Sequence, residues 1–119
     1  MTDLNAPIRD MEDALTRQYP EPVARPCREC PWRRDSTPGH LGPYNPFEWL
    51  EMLHGETPIA CHMTIPEGGG WGSETRQCRG AAIMRANVCK TPRNPSMVTG
   101  PEDPVTVFRR NAEFVEHHE

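Results

Sequence analysis

At residues 26–35 the chain reads Pro-Cys-Arg-Glu-Cys-Pro-Trp-Arg-Arg-Asp, which places Cys27 and Cys30 in a Cys-x-x-Cys turn bounded by prolines. A two-residue gap lets both thiolates reach one ion while the backbone N–H groups of the turn face the sulfurs. Further along the chain, Cys61 and Cys78 add two isolated cysteines. Together the four cysteines predict a metal site that joins distant parts of a short chain.

The composition indicates a chain that needs such a link. Of its 119 residues only 35% are hydrophobic, while 14 are proline and 9 are glycine. A chain this polar and rich in loops buries little apolar area. That burial has to offset the conformational entropy lost on folding. Small domains in this position are commonly stabilised by a disulfide or a metal ion. We therefore expect a small, mainly α, single domain with irregular loops that is stabilised by a metal.

The cysteine count and the N-terminus favour a metal over disulfides. Five cysteines is an odd number, and residues 1–19 are amphipathic and acidic rather than a hydrophobic signal segment. No run approaches the roughly 20 apolar residues that span a bilayer. These features predict a cytoplasmic protein without a membrane partner. In a reducing cytoplasm, clustered cysteines usually bind metal or take part in catalysis.

Charge divides the chain into three segments. Residues 1–24 read as an N-terminal acidic amphipathic helix, with five acidic residues against two basic ones. Residues 25–93 form the predicted four-cysteine metal-binding core, with seven acidic against nine basic residues. Residues 94–119 read as a linker and a C-terminal amphipathic helix, again with five acidic against two basic residues. The net charges are therefore −3, +2 and −3, consistent with −4 for the whole chain.

Periodicity and capping residues predict four helices. In the first, at 8–19, apolar residues recur at helical spacing and Pro20 ends the pattern. The second spans 45–55, the third runs from 80 to 90, and the fourth starts at Asp103. The fold should therefore consist of short helices joined by long irregular segments.

The second helix has the clearest signals. Asn45 is suited to cap it, and Glu48 three residues later completes a capping box. Pro46 favours the first turn and Gly55 favours the end. The residues predicted to face the core are Phe47, Leu50 and Leu53. Outside the helices, only residues 58–61, with the sequence Pro-Ile-Ala-Cys, read as an extended segment.

These motifs resemble a family of small actinobacterial and actinophage proteins with a four-cysteine domain. The resemblance covers roughly residues 25–90. It is carried by the stretch at 26–35, a Pro-Gly turn at 38–39, the helix predicted at 45–55 with its aromatic residues, Ala-Cys-His at 60–62 and Cys-x-Gly at 78–80. The chain departs from the family at Ile59, where members often carry an aromatic residue, and at Ala81, where many carry Trp. The resemblance implies a shared metal core and no particular activity.

Two metals suit the cysteine pattern. A structural zinc ion takes four tetrahedral N or S ligands, and Cys27, Cys30, Cys61 and Cys78 supply them, with His62 as a substitute ligand. One Cys-x-x-Cys followed by two distant cysteines, with a proline after the second, also suits a [4Fe–4S] cluster. Base rates favour zinc, and the pattern leaves both open.

Binding is a better interpretation of this sequence than catalysis. The neighbours Cys61 and His62 would point to opposite faces of an extended segment, which does not suit a nucleophile and its base. The glycine run at 68–70 lacks the Lys-Ser/Thr of a phosphate-binding loop. We expect an adaptor or regulatory module with a protein partner and no small-molecule substrate, a role that suits a phage-encoded protein that targets a host protein. With a cluster in place of zinc, a redox-sensing regulator is the alternative.

A nucleic-acid partner is the other alternative. Arginines surround the predicted ligands, and a metal that joins their segments would gather them on one basic face with a tryptophan for base stacking. The residues concerned are Arg25, Arg28, Arg33, Arg34, Arg76, Arg79 and Arg85, with Trp32 or Trp71 for stacking. The same arginines could instead offset thiolate charge, because four thiolates on zinc leave a net charge of −2.

The remaining cysteine and histidines have no ligand spacing. Cys89 lies eleven residues beyond Cys78, about three helical turns away, so we expect a small buried hydrophobe there. The histidines outside the Ala-Cys-His motif are expected to face solvent. They are His40, His54, His117 and His118.

Overall fold

A computed structural model describes residues 18–97, 99 and 101–119. Within these residues the chain forms α1 (Pro46–His54), a 3-10 helix (His62–Thr64), α2 (Arg79–Asn87) and α3 (Asn111–His118). No β-strand is formed in this part of the chain, and the rest consists of turns, bends and isolated bridges. The small, mainly α fold with irregular loops is thus confirmed. The predicted helix at 8–19 falls outside the described residues except for its last two, which are not helical.

Helix α1 forms where the capping signals place it. The Asn45 side chain accepts a hydrogen bond from the Glu48 N–H at 2.9 Å, and the Glu48 carboxylate accepts one from the Asn45 N–H at 3.1 Å. Leu53 is fully buried, but Phe47 is 58% exposed, so its predicted core position is wrong. Trp49 takes the core side of the first turn instead. Phe47 is about 200° around the helix from Trp49 and therefore faces outward.

Helix α2 ends earlier than the sequence pattern predicts. It stops at Asn87, because Cys89 adopts the left-handed conformation with φ 59° and reverses the chain. The N–H of Lys90 then returns to the Arg85 carbonyl at 2.8 Å, which closes the helix end. This turn leaves Cys89 exposed, so the prediction of a small buried hydrophobe is wrong.

The last helix begins at Asn111, not at Asp103 as predicted. Asp103 does act as a cap, since its carboxylate accepts hydrogen bonds from the N–H groups of Val105 and Thr106. The turn does not continue into a helix because the Arg34 N–H donates to the Thr106 carbonyl at 2.9 Å. This hydrogen bond pairs the chain at Thr106 with the stretch that follows the Cys-x-x-Cys turn. A local capping signal is overridden here by tertiary pairing.

Trp32 lies at the centre of the core. It has no exposed surface, and its ring stacks on Phe114 of α3 with 4.4 Å between centroids. The ring of Trp49 meets it edge-on at 6.0 Å. The Phe108 N–H donates to the Trp32 carbonyl at 3.2 Å. The C-terminal helix therefore packs into the same core as the Cys-x-x-Cys stretch.

Three short extended segments meet at Gln77. Pro22 forms a parallel bridge with Gln77, and the Val23 N–H donates to the Gln77 carbonyl at 3.1 Å. Ala60 forms an antiparallel bridge on the opposite side of Gln77. The extended segment predicted at 58–61 is therefore confirmed in this bridge.

Two backbone hydrogen bonds hold the Ala60 segment in register. The Cys61 N–H donates to the Arg76 carbonyl at 2.8 Å, and the Cys78 N–H donates to the Ile59 carbonyl at 2.7 Å. Because both cysteines belong to this pairing, the register places Cys61 beside the N-terminus of α2.

The helices of the described residues are too short and too polar to span a lipid bilayer.

Candidate metal centre

The four predicted ligands come from three separate parts of the fold. Cys27 and Cys30 belong to the turn before Trp32, Cys61 follows the extended segment, and Cys78 is the N-cap of α2. The Cys30 and Cys78 sulfurs lie 3.7 Å apart, although 48 residues separate them in sequence. All are free thiols.

The thiols form a continuous chain of interactions that divides them into two kinds. Hydrogen bonding from Cys30 lowers the pKa of Cys27 to about 6 and also lowers the pKa of Cys78. The hydrogen bonds that link Cys30 to Cys27 and to Cys78, together with burial, raise its own pKa well above the usual value for a thiol. Burial raises the pKa of Cys61 to about 11, with further contributions from the charges of Cys78 and Cys27. A protonated Cys30 thus links two sulfurs that favour the thiolate form.

The backbone N–H of the residue two positions after each cysteine also acts on the pKa of its thiol. These amides lower the pKa of their thiols because a partial positive charge favours the thiolate. The pairs of sulfur and amide are Cys27 with Glu29, Cys30 with Trp32, Cys61 with Met63 and Cys78 with Gly80. Four local backbone turns are therefore arranged to stabilise negative charge on one group of sulfurs.

Helix α2 adds a further positive field at Cys78. The Cys78 sulfur accepts a hydrogen bond from the Ala81 N–H at 3.4 Å, as the first turn of the helix begins. Free N–H groups at a helix N-terminus stabilise thiolates, which is why low-pKa cysteines occur there. Burial of Cys78 acts in the opposite direction on its pKa.

Gly80 makes room for Cys30. A Cβ built at position 80 would overlap the Cys30 sulfur and come within 3.3 Å of the Trp32 Cβ. Only glycine lets the first turn of α2 approach the Cys-x-x-Cys turn this closely. The Cys-x-Gly motif thus has a steric reason that its spacing alone does not indicate.

His62 and Glu29 lie at the outer side of the cluster. His62 Nδ1 is 3.9 Å from the Cys27 sulfur, and His62 Nε2 is 3.0 Å from a Glu29 carboxylate oxygen. An imidazole held by a carboxylate through its far nitrogen is the arrangement that orients histidines around metals. The sequence analysis included His62 but missed Glu29, whose only signal was its place inside the Cys-x-x-Cys turn.

The described rotamers do not surround an ion. Among residues 18–97, 99 and 101–119, no three or more His, Cys, Asp or Glu side chains are set as a group that could hold a metal ion. The thiols interact in pairs, Cys61 with Cys27, Cys27 with Cys30 and Cys30 with Cys78, and they do not point at a common centre. The structure therefore brings the predicted ligands together without closing them into a coordination shell.

Several of the arginines proposed for nucleic-acid binding have intramolecular partners. Arg33 forms a two-bond ion pair with Asp35, and Arg34 pairs with Glu113 at 2.8 Å. Arg79 donates to the Val23 carbonyl. The exposed members of the set are Arg25, Arg28 and Arg76. Trp32 is fully buried, so its ring is not available for stacking on a base, whereas Trp71 is 43% exposed.

Arg33 and Arg79 nevertheless share a cavity with Arg25. This cavity, of about 560 Å³, also contains Asp103 and lies beside the Cys-x-x-Cys turn. It is the place where the described structure gathers positive charge from both sides of the cysteine cluster.

Arg85, expected on the basic face beside the fourth predicted ligand, is instead a buried cation. Its side chain is 1% exposed and its Nε donates to the Leu53 carbonyl at the end of α1, at 2.8 Å. Burial lowers its pKa, whereas the negative charges of Cys78 and Glu56 raise it. Arg85 lies seven residues after Cys78, which is two turns along the same side of α2. It therefore offsets charge from the cysteine cluster and from the C-terminal carbonyls of α1.

The C-terminal histidines are also placed differently from the sequence expectation. His118 is 5% exposed, accepts the Gly39 N–H at its Nδ1, and donates from Nε2 to the Pro31 carbonyl at 2.9 Å. His117 Nε2 lies 2.7 Å from the Ser36 carbonyl. Both hold the loop after the Cys-x-x-Cys turn, so the expectation that they face solvent is wrong.

Comparison with models of protein families, with curated proteins and with solved structures returns no match.

Proposed function

We propose that Cys27, Cys30, Cys61 and Cys78 bind one structural zinc ion. The observation that carries this proposal is the convergence of these four thiols, with the Cys30 and Cys78 sulfurs 3.7 Å apart and a backbone N–H two residues after each cysteine that lowers the pKa of its thiol. Neutral structural cysteines do not require this arrangement, whereas metal-bound thiolates are stabilised by it. Closing the chain of thiols into a tetrahedral shell requires the side chains to turn toward a common point.

The sulfur separation supports zinc over a [4Fe–4S] cluster. With zinc–sulfur bonds of about 2.3 Å, tetrahedral geometry places the sulfurs about 3.8 Å from one another. The 3.7 Å between Cys30 and Cys78 matches this value. A cubane places iron and sulfide atoms between its cysteines, so its ligand sulfurs must stand well beyond contact distance.

The role of the ion would be to hold three segments in place. It would join the Cys-x-x-Cys turn to the 58–61 segment and to the N-terminus of α2, around a core with few large apolar side chains. Four thiolates on zinc carry a net charge of −2. The N-terminus of α2, the four backbone amides and Arg85 lie where they offset that charge.

For the metal-stabilised domain as a whole we propose a binding role, as an adaptor or regulatory module. Its surface carries several large apolar side chains, which are the kind of surface that a protein partner covers. The exposed fractions are 58% for Phe47, 54% for Met63, 45% for Tyr44 and 43% for Trp71.

Metal and sulfide analysis of protein purified without oxygen tests the zinc proposal. We expect one zinc per chain, no labile sulfide and no visible colour. Cys78→Ser should lose the zinc, and Cys89→Ser serves as the matched control because Cys89 is exposed and outside the cluster. Iron with an equal amount of sulfide, or a wild-type chain that purifies without metal and does not take up added zinc, would overturn the proposal.

Nucleic-acid binding is a second candidate because Arg25, Arg33 and Arg79 line one cavity. Arg25→Glu should then abolish retention on heparin and on a DNA column, with Arg109→Glu, on an exposed residue outside this cavity, as the control. Retention that is absent in the wild type, or equal in both variants, would reject this candidate.

A further inference from the structure

One edge of the three extended segments is open. Ala60 and Gln77 lie opposite each other without a hydrogen bond between them, because the hydrogen bonds on either side are made by their neighbours in the chain. The backbone N–H and C=O of Ala60 therefore point away from Gln77, and those of Gln77 point away from Ala60. Gln77 uses its outward carbonyl to accept from Val23. Among the described residues, no hydrogen bond engages the N–H or the C=O of Ala60. The 58–61 segment therefore presents an unpaired strand edge.

An apolar groove runs along this edge. It has a volume of about 540 Å³ and lies between α1 and residues 57–60, with Ile65 at one side. Its apolar lining is Tyr44, Trp49, Met52, Pro58, Ile59 and Ile65. An open edge beside an apolar groove is the combination by which extended peptides are bound, because the edge pairs their backbone and the groove takes alternate side chains.

The groove carries negative charge. Glu48 and Glu51 of α1 line it, and among the described residues no Lys, Arg or His does. Separated by three positions, the two carboxylates lie on the same side of the helix. Glu48 accepts the Asn45 N–H, whereas Glu51 has no ion-pair partner within the described part of the chain. Charge complementarity thus favours a basic occupant.

We propose that this groove binds an extended basic peptide segment of a partner protein, which pairs with the Ala60 edge and places apolar side chains between that edge and α1. The inference rests on the proposed binding role and gives it a surface and a partner chemistry. Peptide N–H and C=O groups would pair with the open groups of Ala60, and peptide Arg or Lys would face Glu48 and Glu51.

Charge makes the protein's own chain a poorer occupant. Residues 1–17 contain four acidic and two basic residues, so this segment would bring like charge to Glu48 and Glu51. A second copy carries a net charge of −4 and is repelled overall. A basic partner avoids both costs.

The probe is a nine-residue Arg–Val peptide in which Val and Arg alternate at the odd positions and Ser fills the even ones, so that both side chains face the groove. The control is a Glu–Val peptide with Glu in place of each Arg. Binding to the full chain is measured by calorimetry, and the Ala60 amide is followed by hydrogen exchange. We expect the Arg–Val peptide to bind and to protect the Ala60 amide, and the Glu–Val peptide to do neither.

Two variants sharpen the test. Ala60→Pro removes the unpaired N–H and should weaken binding about tenfold, the loss expected for one hydrogen bond and a blocked edge. Glu51→Arg should weaken it about threefold to tenfold. Glu116→Arg makes the same charge change on α3 outside the groove and should leave binding unchanged.

Several outcomes would overturn the inference. They are equal binding of both peptides, no loss with Ala60→Pro, equal losses with Glu51→Arg and Glu116→Arg, or dimerisation of the wild type that Ala60→Pro abolishes, which would assign the groove to a second copy. Zinc content is measured on every sample. A zinc-loaded protein that ignores the peptide rejects only this inference, whereas loss of the zinc result rejects the proposed metal site.

Discussion

The Cys30 sulfur occupies the space beside Gly80 that any side chain at position 80 would fill. This contact sets how closely α2 approaches the Cys-x-x-Cys turn. It explains why the second residue of this helix is a glycine and not an alanine, at a cost in helix propensity of about 1 kcal/mol.

Gly80→Ala should therefore destabilise the protein and impair metal binding. The added methyl group has to displace Cys30 or Trp32, an overpacking that costs about 1–3 kcal/mol. We expect a lower free energy of unfolding in denaturant titrations and weaker zinc retention against a chelator. Gly55→Ala is the control, since its Cβ would meet only ordinary contacts of 3.4 Å and beyond. Equal effects of the two substitutions would argue against the role given to Gly80.

Substituting the four cysteines should not give four equal results. Cys30, Cys61 and Cys78 are buried, so Cys→Ser at any of them should abolish zinc binding. Cys27 is only partly buried and has His62 Nδ1 3.9 Å from its sulfur. Cys27→Ser should retain zinc at reduced affinity because the imidazole replaces the lost ligand.

A chelator competition series measures this difference. The double variant Cys27→Ser with His62→Ala should lose the residual zinc that the single Cys27→Ser variant keeps. The double variant Cys27→Ser with His40→Ala, which changes an exposed histidine, is the matched control. If the double variant with His62→Ala retains as much zinc as the single one, His62 is not the substitute ligand.

Sequence signals anticipated that the four cysteines lie close together better than they anticipated the ends of the helices. The Cys-x-x-Cys turn, the extended segment before Cys61 and the cap of α1 are local features, so their residues are enough to predict them. The roles of Gly80 and Arg85 depend on which segments meet in space. Nothing in the local sequence shows that Cys30 lies against Gly80, or that the end of α1 lies against Arg85.

The errors at Phe47 and at Asp103 have the same origin. Each position carries a correct local signal, an apolar residue in a helix and a side-chain cap. Tertiary contacts then decided the outcome, through Trp49 packing on Trp32 and through Thr106 pairing with Arg34. Periodicity alone does not rank such competing contacts.

Asn87 should be one of the most sensitive polar positions outside the cluster. Its side-chain amide donates to the carbonyls of Asp103 and Phe108, and its oxygen accepts the Asp103 N–H at 3.0 Å. Asn87→Ala removes these bonds at the end of α2 and should cost about 2–4 kcal/mol of unfolding free energy. Chemical denaturation measures the loss, with Ala86→Ser at the neighbouring position as a mild control. A loss below about 0.5 kcal/mol, the range of ordinary surface substitutions, would contradict this assignment.

Acid should destabilise the fold through His118. Burial lowers the pKa of this imidazole, and its Nδ1 accepts the Gly39 N–H, so the folded state requires the neutral ring. A depressed folded-state pKa means that the unfolded chain binds the extra proton first. The stability contribution is therefore complete above the usual histidine value of about 6.5 and is lost as pH falls through the lower folded-state pKa.

The measurement is the free energy of unfolding between about pH 7.5 and pH 5, the interval that spans an ordinary histidine pKa. His118→Gln should be less stable than wild type at the upper end and should show a shallower decline toward the lower end. Protonation of the cysteine cluster affects both proteins, so the difference between the two curves isolates His118. His40→Gln is the control on an exposed imidazole. Parallel curves for wild type and His118→Gln would show that the buried ring does not set the acid limit of the fold.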